Sequence, residues 1–278
     1  MPTELPPAFA FSQTSLQDFA DCPRRFQLRY LLAQSYPSPL AEPLAELERS
    51  LARGERFHRL MERYWRGIQP VEPVDPLIAD LWATFRANPP ADVPQAFRRP
   101  EFSLSVKPAW AGGARLTAKY DLLAYDLDGE ALIIDWKTSE RPSRAALERR
   151  LQTVLYPLLL VEAAPRLFGA PLPPERVRLL YWFGESDGAT ELFAYTSARY
   201  AADQERIGAL LARLRALEVD EFPLTADLRH CRHCQYRALC EREEAASAFE
   251  ADDPDAFPDL EELREVIAAA AAQDDFVL

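Results

Sequence analysis

Lysine is scarce in this 278-residue chain. Lys107, Lys119 and Lys137 are the whole set, against 29 arginines (32 − 3). Long apolar runs are missing too: none reaches the roughly 20 residues of a membrane span. The opening Met1-Pro2-Thr3-Glu4 has no basic start followed by an apolar stretch. Neither a secretory signal nor a membrane anchor is therefore expected, and a cytoplasmic protein without a membrane partner is. No Gly-x4-Gly-Lys phosphate loop occurs, which excludes a nucleotide-driven motor of that kind. No internal repeat is visible. The apolar share of 48% is ordinary for a protein with a packed core.

The net charge of −12 argues against nucleic acid only until it is located. Residues 241–278 hold 13 acids and 2 arginines, a net of −11. Residues 1–240 therefore carry −12 + 11 = −1. The body is close to neutral and can hold a local basic groove. The acidic segment 241–278 reads as a solvated appendage with a helix near 260–272. A single domain is expected over 1–240.

One of the three lysines ends the run Ile133-Ile134-Asp135-Trp136-Lys137. Side chains two apart on a strand share a face, so Asp135 and Lys137 emerge together. Upstream, 115–126 reads as a second strand carrying Asp121, and Asp128-Gly129 between them signals a hairpin. Two carboxylates on one small sheet can hold a hard divalent cation. An ammonium beside them can orient a water for attack on phosphate. The plain alternative is a surface ion pair at a strand end.

Around this hairpin the pattern is mixed α/β. Ser12 and Thr14 offer N-caps for a helix broken at Cys22-Pro23, with Arg24, Arg25 and Arg29 on the helix that follows. Residues 46–68 form a long amphipathic helix, with His58 on its apolar stripe. His58 there is either a hydrogen-bonded core residue or a ligand. A helix is expected over 75–88, a Pro-rich loop over 89–100, a strand over 101–106 and a helix over 143–164 carrying Gln152 and Tyr156 on one face. Strands over 177–183 and 190–195 and a helix over 197–218 complete a mixed central sheet flanked by helices.

The four cysteines are Cys22, Cys231, Cys234 and Cys240, three of them in Cys-x2-Cys-x5-Cys. In a reducing compartment such a set reads as a metal centre rather than as disulfides. Zinc and an iron-sulfur cluster both accept four thiolates, and spacing leaves the two open. Either would join the N- and C-terminal segments, with metal binding contributing to folding.

Together these pieces resemble the RecB-type branch of the PD-(D/E)XK nucleases, the branch with an iron-sulfur cluster that includes the AddB nuclease domain and the CRISPR-adaptation nucleases. The motifs appear in order as Ser15–Phe26, Gly54-Glu55-Arg56-Phe57-His58, Lys119-Tyr120-Asp121, Asp135-Trp136-Lys137-Thr138, Gln152 to Tyr156, and the cysteines. The resemblance implies a restriction-endonuclease-like core. His58, Asp121 and Asp135 would be ligands of Mg²⁺ or Mn²⁺, and Lys137 would position the attacking water. Gln152 and Tyr156 would orient the site or touch the DNA strand. Cys22, Cys231, Cys234 and Cys240 would hold a 4Fe-4S cluster, with zinc as the alternative. Arg24, Arg25 and Arg29 can bind phosphate nearby.

The implied activity is a metal-dependent DNA exonuclease on single strands or DNA ends, in repair, recombination or CRISPR adaptation, beside a helicase or CRISPR-adaptation partner. The alternatives are a non-catalytic DNA-binding or assembly subunit, and a zinc-stabilised structural protein. Two features depart from the pattern. Ala118 stands where relatives place Gly before the first acid. An ideal two-residue Asp128-Gly129 turn would also set Asp121 opposite Trp136, on the wrong face. The site therefore requires an odd loop or a bulge between residues 123 and 134.

Overall fold

The computed structural model describes residues 5–6, 8–34, 44–70, 74–127, 129–218, 221–232 and 234–242. Residues 243–278 of the acidic appendage, with its expected helix near 260–272, and residue Asp128 lie outside the described residues. The chain divides into two compact units, 1–51 with 208–278, and 52–207.

The first unit brings the two ends of the sequence together. A two-residue strand, β1 (Ala10–Phe11), precedes α1 (Gln13–Asp21). Ser12 caps α1: its hydroxyl accepts from the Ser15 N–H, and the Ser15 hydroxyl accepts from the Ser12 N–H in return. Such reciprocal capping satisfies two otherwise orphaned donors of the first turn. The helix stops at Cys22, whose backbone is extended, because the following proline disfavours helical geometry in the residue before it. Pro23 then opens α2 (Pro23–Phe26), which runs on into a π turn over Gln27–Leu31. The Arg24 N–H donates to the Pro223 carbonyl, and the Tyr236 hydroxyl to the Gln34 carbonyl. Buried Phe19 and Phe26 stack edge to face, and Phe26 lies flat against Phe222. A 3-10 turn (Leu228–Cys231), capped by the Asp227 carboxylate, presents Cys231.

The second unit is a sheet between helices. Its five strands are β2 (Phe97–Val106), β3 (Arg115–Tyr125), β4 (Ala131–Lys137), β5 (Val177–Phe183) and β6 (Ala189–Ala194). They lie in sequence order. All neighbours are antiparallel except β4 and β5, which are parallel. The parallel step needs a crossover, and α5 (Arg144–Arg149) and α6 (Leu151–Phe168) supply it. The expected single helix over 143–164 is broken at Arg150, whose extended backbone (ψ 136°) restarts it.

Side-chain alternation divides the sheet. Leu122, Ala124, Leu132, Ile134, Trp136, Leu180 and Trp182 pack with Phe57 and Met61 of α3 (Leu44–Trp65) and with Leu81, Trp82 and Phe85 of α4 (Ala79–Ala87). On the other face α6 packs against β2, β3 and β5. Its apolar residues are buried nearly all round, as a helix laid across a sheet requires. A last helix, α7 (Ser197–Arg215), follows β6. The fold is thus the expected mixed central sheet flanked by helices. Strand β2 begins four residues earlier than expected and runs through Pro100. The missing N–H is tolerable there because β2 pairs only along β3 among the described strands of this unit.

Candidate active site

The hairpin between β3 and β4 decides whether the two acids meet. Pairing runs from Tyr125↔Ala131 to Leu122↔Ile134. The Asp126 N–H donates to the Glu130 carbonyl, leaving residues 127–129 as the turn. Gly129 sits at φ 85° and donates to the Asp126 carbonyl. A three-residue loop closed by a left-handed glycine is the common odd-length hairpin. The odd loop required between 123 and 134 is therefore present, and the register, continued one step past its last pair Leu122↔Ile134, sets Asp121 across from Asp135.

Beyond Leu122 side chains take over from the backbone ladder. The Trp136 N–H donates to Asp121 Oδ2 at 2.8 Å. The other oxygen of Asp121 lies 3.2 Å from Nδ1 of His58, which α3 carries one residue after core residue Phe57. Burial pushes the Asp121 carboxyl up, but the charge and hydrogen bond of His58, the Trp136 N–H and the Lys137 ammonium outweigh it. The net shift is below the usual carboxylate range.

Asp135 is held separately. Its Oδ2 lies 2.9 Å from Lys137 Nζ, and its Oδ1 accepts from Gln152 Nε2 at 2.5 Å. Both side chains of the Asp135–Lys137 pair are less than 5% exposed. Such a pair is a buried ion pair rather than a screened surface pair. Behind Lys137 stands the Tyr181 ring, 5.9 Å from the ammonium. The Tyr181 hydroxyl is hydrogen-bonded to Thr153 at 2.9 Å. Burial pushes that phenol well above its ordinary pKa, so it stays neutral. Tyr156 packs edge to face on Tyr120 and accepts the Tyr120 hydroxyl at its carbonyl. Gly54 of α3 faces Thr138, where an added Cβ would stand in ordinary van der Waals contact, 3.6 Å from the hydroxyl. Ala118, the departure from the Gly-x-x-Asp pattern, lies buried in regular pairing with Leu104, so its methyl does not obstruct β3.

Among the described residues, the one group of three acid, His or Cys side chains whose ligand atoms lie within 4.8 Å of one another is His58, Glu101 and Asp121. His58 and Asp121 are expected members. Glu101 is one that sequence reasoning missed. Asp135 stands outside this group, its carboxylate turned to Lys137 and Gln152. Only the β2–β3 register, which sets residue 101 across from Asp121, brings it there.

The four cysteines line one small cavity of the first unit, with Arg25 and Leu28 on its wall. All are free thiols. Burial raises the thiols of Cys231 and Cys240, and raises Cys234 to about 11, against the pull of nearby arginines.

Two of the three arginines expected to bind phosphate are committed inside this unit. Arg25 pairs with Asp18 and Asp21, each at 2.7 Å, and Arg29 pairs with Asp18 at 2.7 Å. Burial disfavours the Arg29 charge, but Asp18 and its neighbours override that and raise its pKa. Arg24 hydrogen-bonds to Gln27.

A family model of the PD-(D/E)XK nuclease superfamily matches residues 10–241. Among solved structures, a candidate exonuclease from Eubacterium rectale is 10% identical at a TM-score of 0.51, covering 88% of this chain and 90% of its own. SSO0001 is 15% identical at a TM-score of 0.40, covering 85% and 88%. The first likeness bears on the fold alone. No curated protein matches.

Proposed function

This chain belongs to the PD-(D/E)XK nuclease superfamily, and we propose that it is a divalent-cation-dependent DNA nuclease working at the β3–β4 hairpin. One observation carries the reading: two buried carboxylates on neighbouring strands, one against a buried histidine and the other against a buried lysine. His58 and Asp121 offer an imidazole nitrogen and a carboxylate oxygen for Mg²⁺ or Mn²⁺, and Asp135 lies across the hairpin as a further carboxylate. A cation there would neutralise phosphate charge and lower the pKa of the attacking water.

The protein's own groups do the positioning. The Trp136 N–H fixes Asp121, and Gln152 fixes Asp135. Asp135 and the Tyr181 ring hold the Lys137 ammonium where it can orient the water and stabilise charge developing on phosphate. Water oxygen bonds to phosphorus as the ester P–O bond breaks. Tyr156 acts through its packing on Tyr120, which sets the start of α6 against β3.

The substrate proposed is single-stranded DNA or a DNA end, degraded exonucleolytically. His58, Asp121, Asp135, Lys137 and Gln152 are all buried. A recessed site admits a flexible strand more readily than a stiff duplex. Repair, recombination and CRISPR adaptation, with a helicase or adaptation partner, are the settings that supply such strands.

For the four cysteines we propose a 4Fe-4S cluster, as the resemblance to the iron-sulfur branch implies, with zinc as the alternative. Arg24, Arg25 and Arg242 act on them electrostatically. That suits the net negative charge of a thiolate-ligated cluster. On this reading Arg25 and Arg29 brace the cluster pocket through Asp18, and Arg24 is left as the nearer candidate for phosphate.

The test is digestion of end-labelled linear and circular single-stranded DNA by anaerobically purified protein with Mg²⁺ or Mn²⁺, beside Asp121→Asn. Asparagine keeps an acceptor for the Trp136 N–H. Loss of linear strands with wild type alone supports the reading, and cutting of circles replaces exonuclease with endonuclease. DNA bound but intact would overturn it in favour of a binding subunit. Equal cutting by Asp121→Asn would remove the chemistry from this site.

A further inference from the structure

The break between α5 and α6 leaves three carbonyls to be satisfied. In one continuous helix the carbonyls of Leu147, Glu148 and Arg149 would accept from the N–H groups of residues 151–153. The extended backbone of Arg150 (ψ 136°) interrupts that ladder. Side chains serve instead. The Thr153 hydroxyl donates to the Leu147 carbonyl at 2.6 Å, Arg199 to the Glu148 carbonyl at 3.4 Å and Arg206 to the Arg149 carbonyl at 2.8 Å. Both arginines come from α7, about two turns apart on one face.

The first residues after the break reach the candidate site. Gln152 Nε2 donates to Asp135 at 2.5 Å, and the Thr153 hydroxyl meets the Tyr181 hydroxyl at 2.9 Å. The single Thr153 proton goes to Leu147, so Tyr181 is the donor to Thr153. Asp135 and Tyr181 are partners across β4 and β5, and together they flank the Lys137 ammonium. One turn of α6 therefore anchors both groups that hold Lys137. Behind the arginines stands a buried acid that the proposed chemistry does not use. Asp203 is 3% exposed. It accepts from Arg199 Nε at 3.1 Å and from the Tyr195 hydroxyl at 3.1 Å. Burial pushes its carboxyl up against the pull of Arg199, Tyr195 and Arg206. An acid kept buried against that penalty locks the guanidinium that bridges it to α5.

We propose that Arg199 and Arg206, with Asp203 behind Arg199, are positioning residues of the nuclease site: they hold the end of α5, set where α6 restarts, and so fix Gln152 on Asp135 and Thr153 on Tyr181. The inference rests on the proposed nuclease reading and extends it to α7. Arg199 acts as a fork, Nε to Asp203 and a terminal nitrogen to Glu148, a geometry that a lysine ammonium does not reproduce. Arg206 makes one bond to a carbonyl, which a lysine can also make.

The test is steady-state digestion of end-labelled linear single-stranded DNA with Mg²⁺, on the full chain purified anaerobically. The variants are Arg206→Met, Arg206→Lys, Arg199→Lys, Tyr200→Phe and Asp121→Asn. Wild type that cuts nothing, or Asp121→Asn that cuts as fast, would overturn the nuclease reading and this inference with it. With that check passed, Arg206→Met and Arg199→Lys are expected to lower kcat about tenfold or more at unchanged KM, because about 1 Å of misplacement can cost about a hundredfold. Arg206 is exposed, so Arg206→Met leaves the core intact. Arg206→Lys is expected to stay close to wild type, and a loss as large as that of Arg206→Met would rule out the carbonyl bond as the cause. Tyr200→Phe is the control. It also removes a hydrogen bond between α7 and α6, at Glu162 (2.6 Å), but about three turns beyond Gln152. It is expected to leave kcat unchanged, and an equal loss there would refute the inference, reducing the arginines to general packing of α7. Raised KM at unchanged kcat would refute it as well, making the arginines substrate contacts. Wild-type kinetics in Arg206→Met and Arg199→Lys, with Asp121→Asn inactive, would refute the inference and leave the site standing.

Discussion

Replacing Lys137 by methionine removes the ammonium and keeps most of the side-chain volume. The structure sets the scale of the effect. At 2.9 Å and an effective dielectric of about 20, the Lys137–Asp135 attraction is on the order of 6 kcal/mol. Desolvating both ions costs several kcal/mol each, so the intact pair contributes little net stability. Breaking it is another matter, because Asp135 would keep its burial and lose its counter-charge. Lys137→Met is therefore expected to destabilise by about 3–5 kcal/mol, and Asp135→Asn by a similar amount. The double variant has no buried charge left at this position. It is expected to lose clearly less than the sum, giving a coupling of about 2–4 kcal/mol. Urea unfolding in EDTA, followed by tryptophan fluorescence, reads this out. Trp65, Trp82, Trp110, Trp136 and Trp182 are the five tryptophans of the chain, and all fall in the unit that carries the site. The signal therefore reports that unit alone. Additive single losses, or single losses below about 1 kcal/mol as for exposed pairs, would refute the buried-pair reading. Lys137 would then need another source of orientation.

Cys22→Ala is expected to lose the brown iron-sulfur absorbance and fall well below about four irons per chain. Metal analysis of anaerobically purified wild type comes first, and stoichiometric zinc without iron would refute the cluster. Asp121 gives a pH dependence. Its folded pKa is depressed, so its contribution is present above the unfolded value of about 3.9 and is lost as pH falls through the folded one. In EDTA, wild type is expected to lose stability more steeply below about pH 4 than Asp121→Asn. Parallel acid profiles would mean that Asp121 gains nothing from His58 and the Trp136 N–H.

Much of the fold was legible because its elements depend on local chemistry. Strand 177–183 was bounded correctly by its apolar run, and the break at Cys22-Pro23 by proline geometry. The odd hairpin loop was legible by a different route. No propensity rule separates a two-residue from a three-residue turn at Leu127-Asp128-Gly129. The requirement that Asp121 and Asp135 stand across the hairpin from each other did separate them, and Gly129 at φ 85° closes the three-residue connection. The helix restart at Arg150 left no mark in the apolar pattern, since Ala146, Leu147 and Leu151 are buried on both sides of it.

What remained illegible in the site was the choice of partner for each charge. Motif order groups Asp135 with Asp121, but side-chain geometry groups it with Lys137 and Gln152 instead. Arg25 and Arg29 look from sequence like a phosphate patch, and Asp18, one turn from the break, claims both. Glu101 is the extreme case. A glutamate in the αL region of a strand contradicts every local preference of that residue, so no pattern of residues could have placed it there. A local rule broken without local compensation points to a function that compensates it. The carboxylate that sequence reasoning passed over thus sits in left-handed backbone inside a strand, with its ligand atoms beside those of His58 and Asp121.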